Sequence, residues 1–539
     1  MCSSASPGGE TCNFDVAAGP RALTVEERRS FESLIAWLQA GIDDSLAATR
    51  RQRRLADVFD LQHDESGLAL LAQIGFEAGD HLAVLPSLRV ITPGLTGASG
   101  ASAEALTPTA VFLAKEKRLG EKSAWWPYFA LLPNVHGHLP RQWNTSFLHE
   151  HLKGSLFPAY VEERAASVRR EFEAHGRVAG VTWEEFEWAT DVVSTRGLRI
   201  PATRQVSASL SLPSVAGESG GVVLFPLLDF ANHAHQSHIR FEYDPVQEEV
   251  RVIATRRILP GEELLYSYAP ASSCGSWETL LGWGFVSESP DARVAVRIHL
   301  PPAALRVAYS RAWAGEEPIE RVASAVQIFN LQMDARDRQA KVFLAYLRGA
   351  SSVSGDKVFQ PPGTAMAERR ALRLGRELVR LALERFPTTL NQDESMLEVG
   401  ILDTRIRSMV LLRRDEKLAL AWWLNFLDFG LGHIPASQEP VDTSYLDGPF
   451  QALWGSPPGD STLARVAAAL ALDATERPAG FALVVLIATC TLAVAAQGLV
   501  RGWRLPVPPH TLAAGHVCCF LLGGIVVLAA VCRTMDFIF

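Results

Sequence analysis

The periodicity of apolar positions changes several times along the chain, and each change marks a different kind of element. Phe31, Leu34, Ile35 and Leu38 recur at helical spacing and predict a helix over about residues 25–47. Thr24, with Glu27 three residues on, gives that helix a capping-box start. Residues 66–92 switch to short apolar runs broken by Gly and Pro, which predict strands. The stretch up to about residue 108 is rich in Gly, Ala, Ser and Thr and reads as a loop. Helical character returns over 109–200, with the aromatic residues Trp125, Trp126, Tyr128 and Phe129. Short β-like runs come back over 221–299, as VVLFPLL, RFEYD, VRVIATR, ELLYSY and RVAVRIHL. Residues 318–350 and 365–430 read as helical again. In the second of these, Ala371, Leu374, Leu378 and Leu381 form one apolar stripe. Arg373, Arg376, Glu377 and Arg380 fall largely off it, as in a helix that buries one face.

The order is therefore β, helical insert, β, then a helical region. That is an α+β arrangement, without the regular alternation of a doubly wound sheet. No GxGxxG or P-loop pattern follows a strand, which argues against a dinucleotide domain and a nucleotide triphosphatase. The tail differs in kind. Residues 478–500 and 505–532, 23 and 28 positions, contain no Asp, Glu, Lys or Arg. A membrane-spanning helix needs about 20 apolar residues. Arg501, Trp503, Arg504, Pro506, Pro508 and Pro509 form a short turn between the two runs. The reading is a transmembrane helical hairpin over 478–535, with two buried core helices as the alternative. Both ends of a hairpin lie on one side of the membrane. Arginines flank both ends and the turn, so the positive-inside rule does not orient it. Only residues 533–539 follow the second run, so insertion would be largely post-translational.

Composition narrows the classes. Hydrophobic residues make up 48% of the 539 positions and charged residues 20%, which excludes a mainly disordered chain. The net charge of −8 gives no chain-wide grip on nucleic acid. Four Arg at 50, 51, 53 and 54 make a small basic cluster that reads as a solvated helix end or linker. The seven cysteines include no C-x-x-C pair, and four lie in the apolar tail, so neither a zinc ribbon nor a disulfide framework is indicated. Residues 1–23 lack the apolar core of a secretory signal and read as a disordered leader.

The densest group of chemistry-bearing residues lies at 221–285. LFPLLDFANHAHQSH places Asp229, Asn232 and His233 after a buried apolar run, and GEELLYSYA places Tyr266 and Tyr268 at the end of another. A backbone carbonyl and an Asn amide can hold an adenine or an amino-acid zwitterion by directional hydrogen bonds. A Tyr hydroxyl can hold an amine in line with an electrophilic methyl group. Tyr266 lies two residues before Tyr268, hence on the same face of a strand. No Ser-His-Asp or Cys-His arrangement is evident. His233, His235 and His238 lack HExxH spacing, so no metal is expected. The group suits methyl transfer.

Further stretches keep a defined order with these. They are SGLALLAQIGFEAGDHLAVLP, LAKEKRLGEKSAWWPYFALLPN, WATDVVSTRGLRIP, FPLLDFANH, PGEELLYSY and WGFV, followed by FPTTLNQDESML and RRDEKLAL. Over roughly residues 55–430 this series resembles the SET-domain protein methyltransferases, in the subgroup of the Rubisco large-subunit lysine methyltransferase and the actin-histidine methyltransferase. The resemblance implies a SET domain at 24–300 with an N-terminal helix and a helical insert at about 109–200. It implies an all-α substrate-binding domain at 301–470, with Arg413, Glu416 and Lys417 on its Arg-x-x-Glu-Lys signature. The cofactor implied is S-adenosylmethionine. Asp64, Glu65 and Ser66 would line its pocket, and Arg196 would contact its carboxylate or the substrate. Asp229, Asn232 and His233 would lie under the adenosine, and Tyr268 would be the catalytic tyrosine.

Some positions depart from the family pattern. Ala269 follows Tyr268 where Gly is usual, and Ser66-Gly67 stands where a second Gly is common. The segment APASSCGSWETLL is about three residues longer than the pattern and puts Gly275 and Ser276 where a cofactor-holding Ser-Asn would lie. The expected activity is methyl transfer to a lysine of a non-histone protein, with the catalytic region facing the cytosol from a membrane. A histidine target and a catalytically inactive scaffold are the alternatives. Leu198, two residues after Arg196, favours lysine: it suits an aliphatic stem and offers no hydrogen bond to an imidazole. The substrate-binding residues expected are Arg196, Leu198, Tyr266 and Tyr268.

Overall fold

The computed structural model describes residues 21–45, 53–64, 67–92, 95–96, 106–200, 210–211, 221–244, 249–268, 275–289, 292–314, 316, 327–352, 358–399, 403–441 and 446. The first helix, Val25–Ser45, starts where the capping box places it. The Thr24 amide donates to Glu27 Oε2 at 2.8 Å and the Glu27 amide to Thr24 Oγ1 at 3.2 Å. Its predicted apolar face, Phe31, Leu34, Ile35 and Leu38, is buried.

Twelve strands follow in the described residues: β1 (Phe59–Asp64), β2 (Gly67–Ala72), β3 (His81–Pro86), β4 (Leu198–Ile200), β5 (Leu210–Ser211), β6 (Gly221–Val223), β7 (Asn232–His233), β8 (Ile239–Asp244), β9 (Glu249–Ala254), β10 (Leu265–Tyr266), β11 (Ala295–Leu300) and β12 (Gln327–Gln332). β3, β9, β8 and β5 form a four-stranded sheet in that order. β1 pairs antiparallel with β2 and β4 with β6, while β7 and β10 run parallel. Between β3 and β4 the chain leaves the sheets for the helical insert. Its helices are Thr107–Leu119, Trp126–Phe129, Thr145–His151, Phe157–Glu171 and Trp183–Arg196. The last begins with a capping box of Thr182 and Glu185 and packs on the first. One core unites sheets and insert, through Phe59, Leu70, Tyr128, Phe186, Leu228 and Val252.

A second core lies in the C-terminal part, under the helices Arg338–Ser351, Ala365–Leu383, Leu390–Glu398 and Thr404–His433. The expected helix over 318–350 and the all-α domain need correction here. β12 pairs antiparallel with β11, from Ala295↔Gln332 to Leu300↔Gln327. The physical reason is a period of two: Phe329 and Leu331 are buried while Ile328 points to solvent. The paired strand extends this apolar face with Val296 and Ile298, and the helices Arg338–Ser351 and Thr404–His433 pack on it.

The helix Thr404–His433 joins the two parts. Ser276 donates a short hydrogen bond to Asp415. Trp277 Nε1 and Ser155 Oγ donate to Glu416 Oε1 at 2.8 and 2.9 Å. Arg413 Nη1 donates to the His151 carbonyl at 2.7 Å, and its guanidinium forks onto Asp393. Lys417 donates to the same Asp393 at 2.7 Å. The Arg-x-x-Glu-Lys residues are thus buried anchors.

Among the described residues no helix is long and apolar enough to cross a membrane. The expected hairpin at 478–535 lies outside the described residues, as do most of the leader, Arg50, Arg51, Glu65, Ser66 and the segment 269–274.

Candidate active site

The site forms where two very short strands meet. β7 follows a tight turn at Leu228–Phe230, and β10 lies beside it with Leu265 opposite Asn232 and Tyr266 opposite His233. Leu227 enters the turn at φ 80°, a region that leucine avoids for steric reasons. The chain ends around the pair are then tied across each other. The Ala234 amide donates to the Tyr266 carbonyl at 3.1 Å and the His238 amide to the Leu265 carbonyl at 2.8 Å.

Asn232 draws two carboxylates together. Its Nδ2 donates to Asp64 Oδ2 at 3.2 Å, at the end of β1, and to Glu263 Oε1 at 2.8 Å. Burial, with the Asp64 charge adding to it, raises the Glu263 carboxyl above its ordinary range.

Tyr268 sits at the centre of an aromatic wall. Ring centroids of Tyr266, His233, Trp283 and Phe285 lie 4.9, 5.2, 5.5 and 6.5 Å from its own. Its hydroxyl donates to the Ala231 carbonyl at 3.2 Å, and its amide donates to His233 Nδ1 at 3.2 Å. Burial raises both the Tyr268 and Tyr266 phenols, so both stay protonated at neutral pH. Tyr268 can therefore orient a ligand by hydrogen bonding but does not serve as a phenolate base.

His233 is held neutral, its imidazole pushed down to about 4 by burial first and His235 second. Because Nδ1 accepts from the Tyr268 amide, the proton sits on Nε2, which has no partner among the described residues. His238 is fixed differently: Nδ1 lies 2.9 Å from the Glu263 carbonyl and Nε2 2.6 Å from Arg256. The chemistry of those partners makes Nδ1 the donor and Nε2 the acceptor. A cavity of about 390 Å³ opens between His233, His235, His238 and Ser287. No group of His, Cys, Asp and Glu suited to a metal occurs among the described residues.

Arg196 and Asp229 lie behind this face. Arg196 Nη1 donates to the Asp229 carbonyl at 2.9 Å, and the guanidinium stacks 4.7 Å over Phe230. Tyr128 donates a short hydrogen bond to Asp229 Oδ2. Burial pushes the Asp229 carboxyl up to about 6 against the opposing pull of Arg196 and Tyr128.

Of the residues expected from sequence, Asp64, Asn232, His233, Tyr266 and Tyr268 are brought together, with Arg196 and Asp229 bracing them. Glu65 and Ser66 lie outside the described residues. Gly275 and Ser276, expected at the cofactor, lie at the start of a helix that reaches the C-terminal part. Gly275 caps the helix Ser276–Trp283, and the buried Ser276 hydroxyl is committed to Asp415. Leu198 is buried in the sheet core opposite Val223. Glu263, Tyr128, Trp283 and Phe285 were not singled out as site residues. Each nonetheless falls inside a stretch that carries the family pattern: PGEELLYSY, WWPY or WGFV.

Comparison with known proteins finds relatives for both parts of the chain. A family model described as SET domain matches residues 67–269, and one described as Rubisco LSMT substrate-binding matches residues 300–420. SET domain-containing protein 4 of Artemia parthenogenetica is 21% identical over 238 residues. That alignment covers 41% of this chain and 57% of the relative, so little more than half of the relative is spanned. The SET domain of LSMT bound to lysine and AdoHcy superposes with a TM-score of 0.56 at 19% identity, over 75% of this chain and 91% of that one. Rubisco LSMT bound to AdoMet gives 0.55 at 18%, over 75% and 93%. The same enzyme bound to sinefungin and monomethyllysine gives 0.54 at 19%, over 76% and 95%. At these identities the superpositions establish a shared fold.

Proposed function

The chain belongs to the proteins that join a SET domain to a Rubisco LSMT substrate-binding domain, and we propose that it transfers a methyl group from S-adenosylmethionine to a lysine of a non-histone protein. The observation that carries the reading is the Tyr268 hydroxyl, fixed on the Ala231 carbonyl inside an aromatic wall. Similar folds hold lysine with AdoHcy, and sinefungin with monomethyllysine, which supports both substrate and cofactor.

The residues present fit the cofactor. An orphan N–H on His233, facing no acceptor among the described residues, and the cavity beside it offer a purine or an amino acid a directional partner. Bound S-adenosylmethionine would supply the electrophilic methyl on a sulfonium. The chain's part is binding, orientation and desolvation. Tyr268 donates its O–H to the Ala231 carbonyl and keeps its oxygen lone pairs to accept an N–H of an incoming amine. The faces of Tyr266, Trp283 and Phe285 favour nearby positive charge. An apolar approach lowers the pKa of a lysine, so that it arrives with a free lone pair.

The two uncharged runs in the tail support a membrane hairpin, with the catalytic part on the cytosolic side where the methyl donor is made. Calorimetry with S-adenosylmethionine tests the enzyme reading, and methylated residues compared across cells with and without the protein test the target. Absence of binding heat and thermal shift would favour the scaffold. Methylhistidine without methyllysine would overturn the lysine assignment. Removal of the residues after about 475 should release an active protein from membranes. Membrane association that survives the truncation would refute the hairpin.

A further inference from the structure

Resting on that reading, we propose that Tyr128 is a positioning residue for Tyr268, acting through Asp229 across 101 residues of sequence. The connection can be followed atom by atom. Tyr128 lies on the helix Trp126–Phe129 of the insert, fully buried, and its hydroxyl donates to Asp229 Oδ2. Asp229 sits in the middle of the Leu228–Phe230 turn. Two residues on, past Phe230, the Ala231 carbonyl is the acceptor for the Tyr268 hydroxyl at 3.2 Å. Any shift of the turn therefore moves the group that aims the phenol.

The turn's own backbone bonds do not reach the Asp229 carbonyl. The turn begins at Leu227 with φ 80°, a conformation that persists for leucine only when its surroundings impose it. Its backbone is tied locally: the Leu228 and Asp229 amides both donate to the Phe225 carbonyl at 3.1 Å, the Phe230 amide to the Leu227 carbonyl at 3.2 Å and the Ala231 amide to the Leu228 carbonyl at 3.1 Å. Two helices of the insert supply the outside restraint. Arg196 binds the backbone carbonyl of Asp229 at 2.9 Å, and Tyr128 binds its side chain. Asp229 Oδ1 has no partner among the described residues, so the carboxylate's hydrogen-bonded hold comes through Oδ2. This gives the helical insert a task in the site although it supplies no residue to the aromatic wall. It also links two sequence stretches, WWPY and PLLDFANH, that otherwise look independent.

Tyr128→Phe keeps the ring and removes only the tether, and the full-length chain is the protein to test. A 3-fluorotyrosine at position 268 reports the hydroxyl's hydrogen bond by ¹⁹F NMR without requiring turnover. The Tyr128→Phe change should move that resonance. It should lower kcat on a lysine-peptide panel about tenfold or more, as misplacement by ~1 Å does. The dissociation constant for S-adenosylmethionine should stay within about twofold, because the tether does not face the cofactor's partners. Asp229→Asn, which keeps an acceptor for Tyr128, should leave the resonance nearer wild type than Asp229→Ala does. This pair carries the test if Tyr128→Phe fails to fold. An unmoved ¹⁹F resonance in folded Tyr128→Phe would overturn the proposal, as would equal shifts in the two Asp229 variants. A wild-type chain that binds no S-adenosylmethionine would instead sink the methyl-transfer reading, and the resonance would still report the tether.

Discussion

A half-buried phenol among four aromatic rings acts by position rather than by ionisation, and this decides what substitution at Tyr268 should do. Tyr268→Phe removes the bond to the Ala231 carbonyl and the lone pairs available to an amine while leaving the ring in its wall. Turnover is expected to fall by about 10²-fold or more, the usual size of a lost positioning or proton-handling group. S-adenosylmethionine binding should be retained, since Asn232 and His233 are untouched. Methyl-transfer rates with calorimetry on the same preparation check this, and unchanged turnover would remove Tyr268 from the mechanism. Tyr266 lies 4.9 Å away by ring centroid, and the same two measurements on Tyr266→Phe test whether it substitutes.

Among the elements, the helix Ser276–Trp283 matters through the way it ends. Gly284 closes it in the left-handed conformation at φ 80°, where a side chain costs roughly 1 kcal/mol in strain alone. A Cβ there would also lie 2.5 Å from the backbone carbonyl of His138, which cannot yield as a flexible side chain would. Trp283 and Phe285 on either side both face Tyr268. Gly284→Ala should therefore lower thermal stability and, at temperatures where the protein stays folded, also lower turnover. Thermal melts and rates on the same sample separate the two effects. A variant with wild-type melting and rate would show that this helix end is free to shift.

At the scale of the molecule, the joint between the two cores contains an acid held against its preference. Burial raises Glu416 from an ordinary 4.5 to about 7, opposed by Ser155 and Trp277. The folded state thus holds a proton that the unfolded chain has released, and stability falls as pH rises from about 4.5 through about 7. Asp191 and Asp229, both pushed up to about 6, act in the same sense at lower pH. Glu416→Gln keeps an acceptor for Trp277 and removes the titration. Denaturant midpoints at pH 5.5 and 8 should differ less in this variant than in wild type. An equal difference in both would place the pH dependence elsewhere.

How much of this was legible beforehand depends on the reach of each signal. Thr24 with Glu27 and the stripe from Phe31 to Leu38 fixed the first helix, because caps and a helical period act within a few residues. The buried Ala371, Leu374 and Leu378 were legible for the same reason. The order of FPLLDFANH and PGEELLYSY located Asn232, His233 and Tyr268, though two-residue strands carry no period of their own. The tertiary structure alone decided which distant surfaces meet. It made Gln327–Gln332 a strand by giving it Ala295–Leu300 as a partner. It turned Ser276 towards Asp415, 139 residues away, and brought Glu263 and Asp64 onto one amide. Local periodicity reports which face of an element is apolar. The partner of a buried polar group is set only when two such faces close and leave each donor one acceptor within reach.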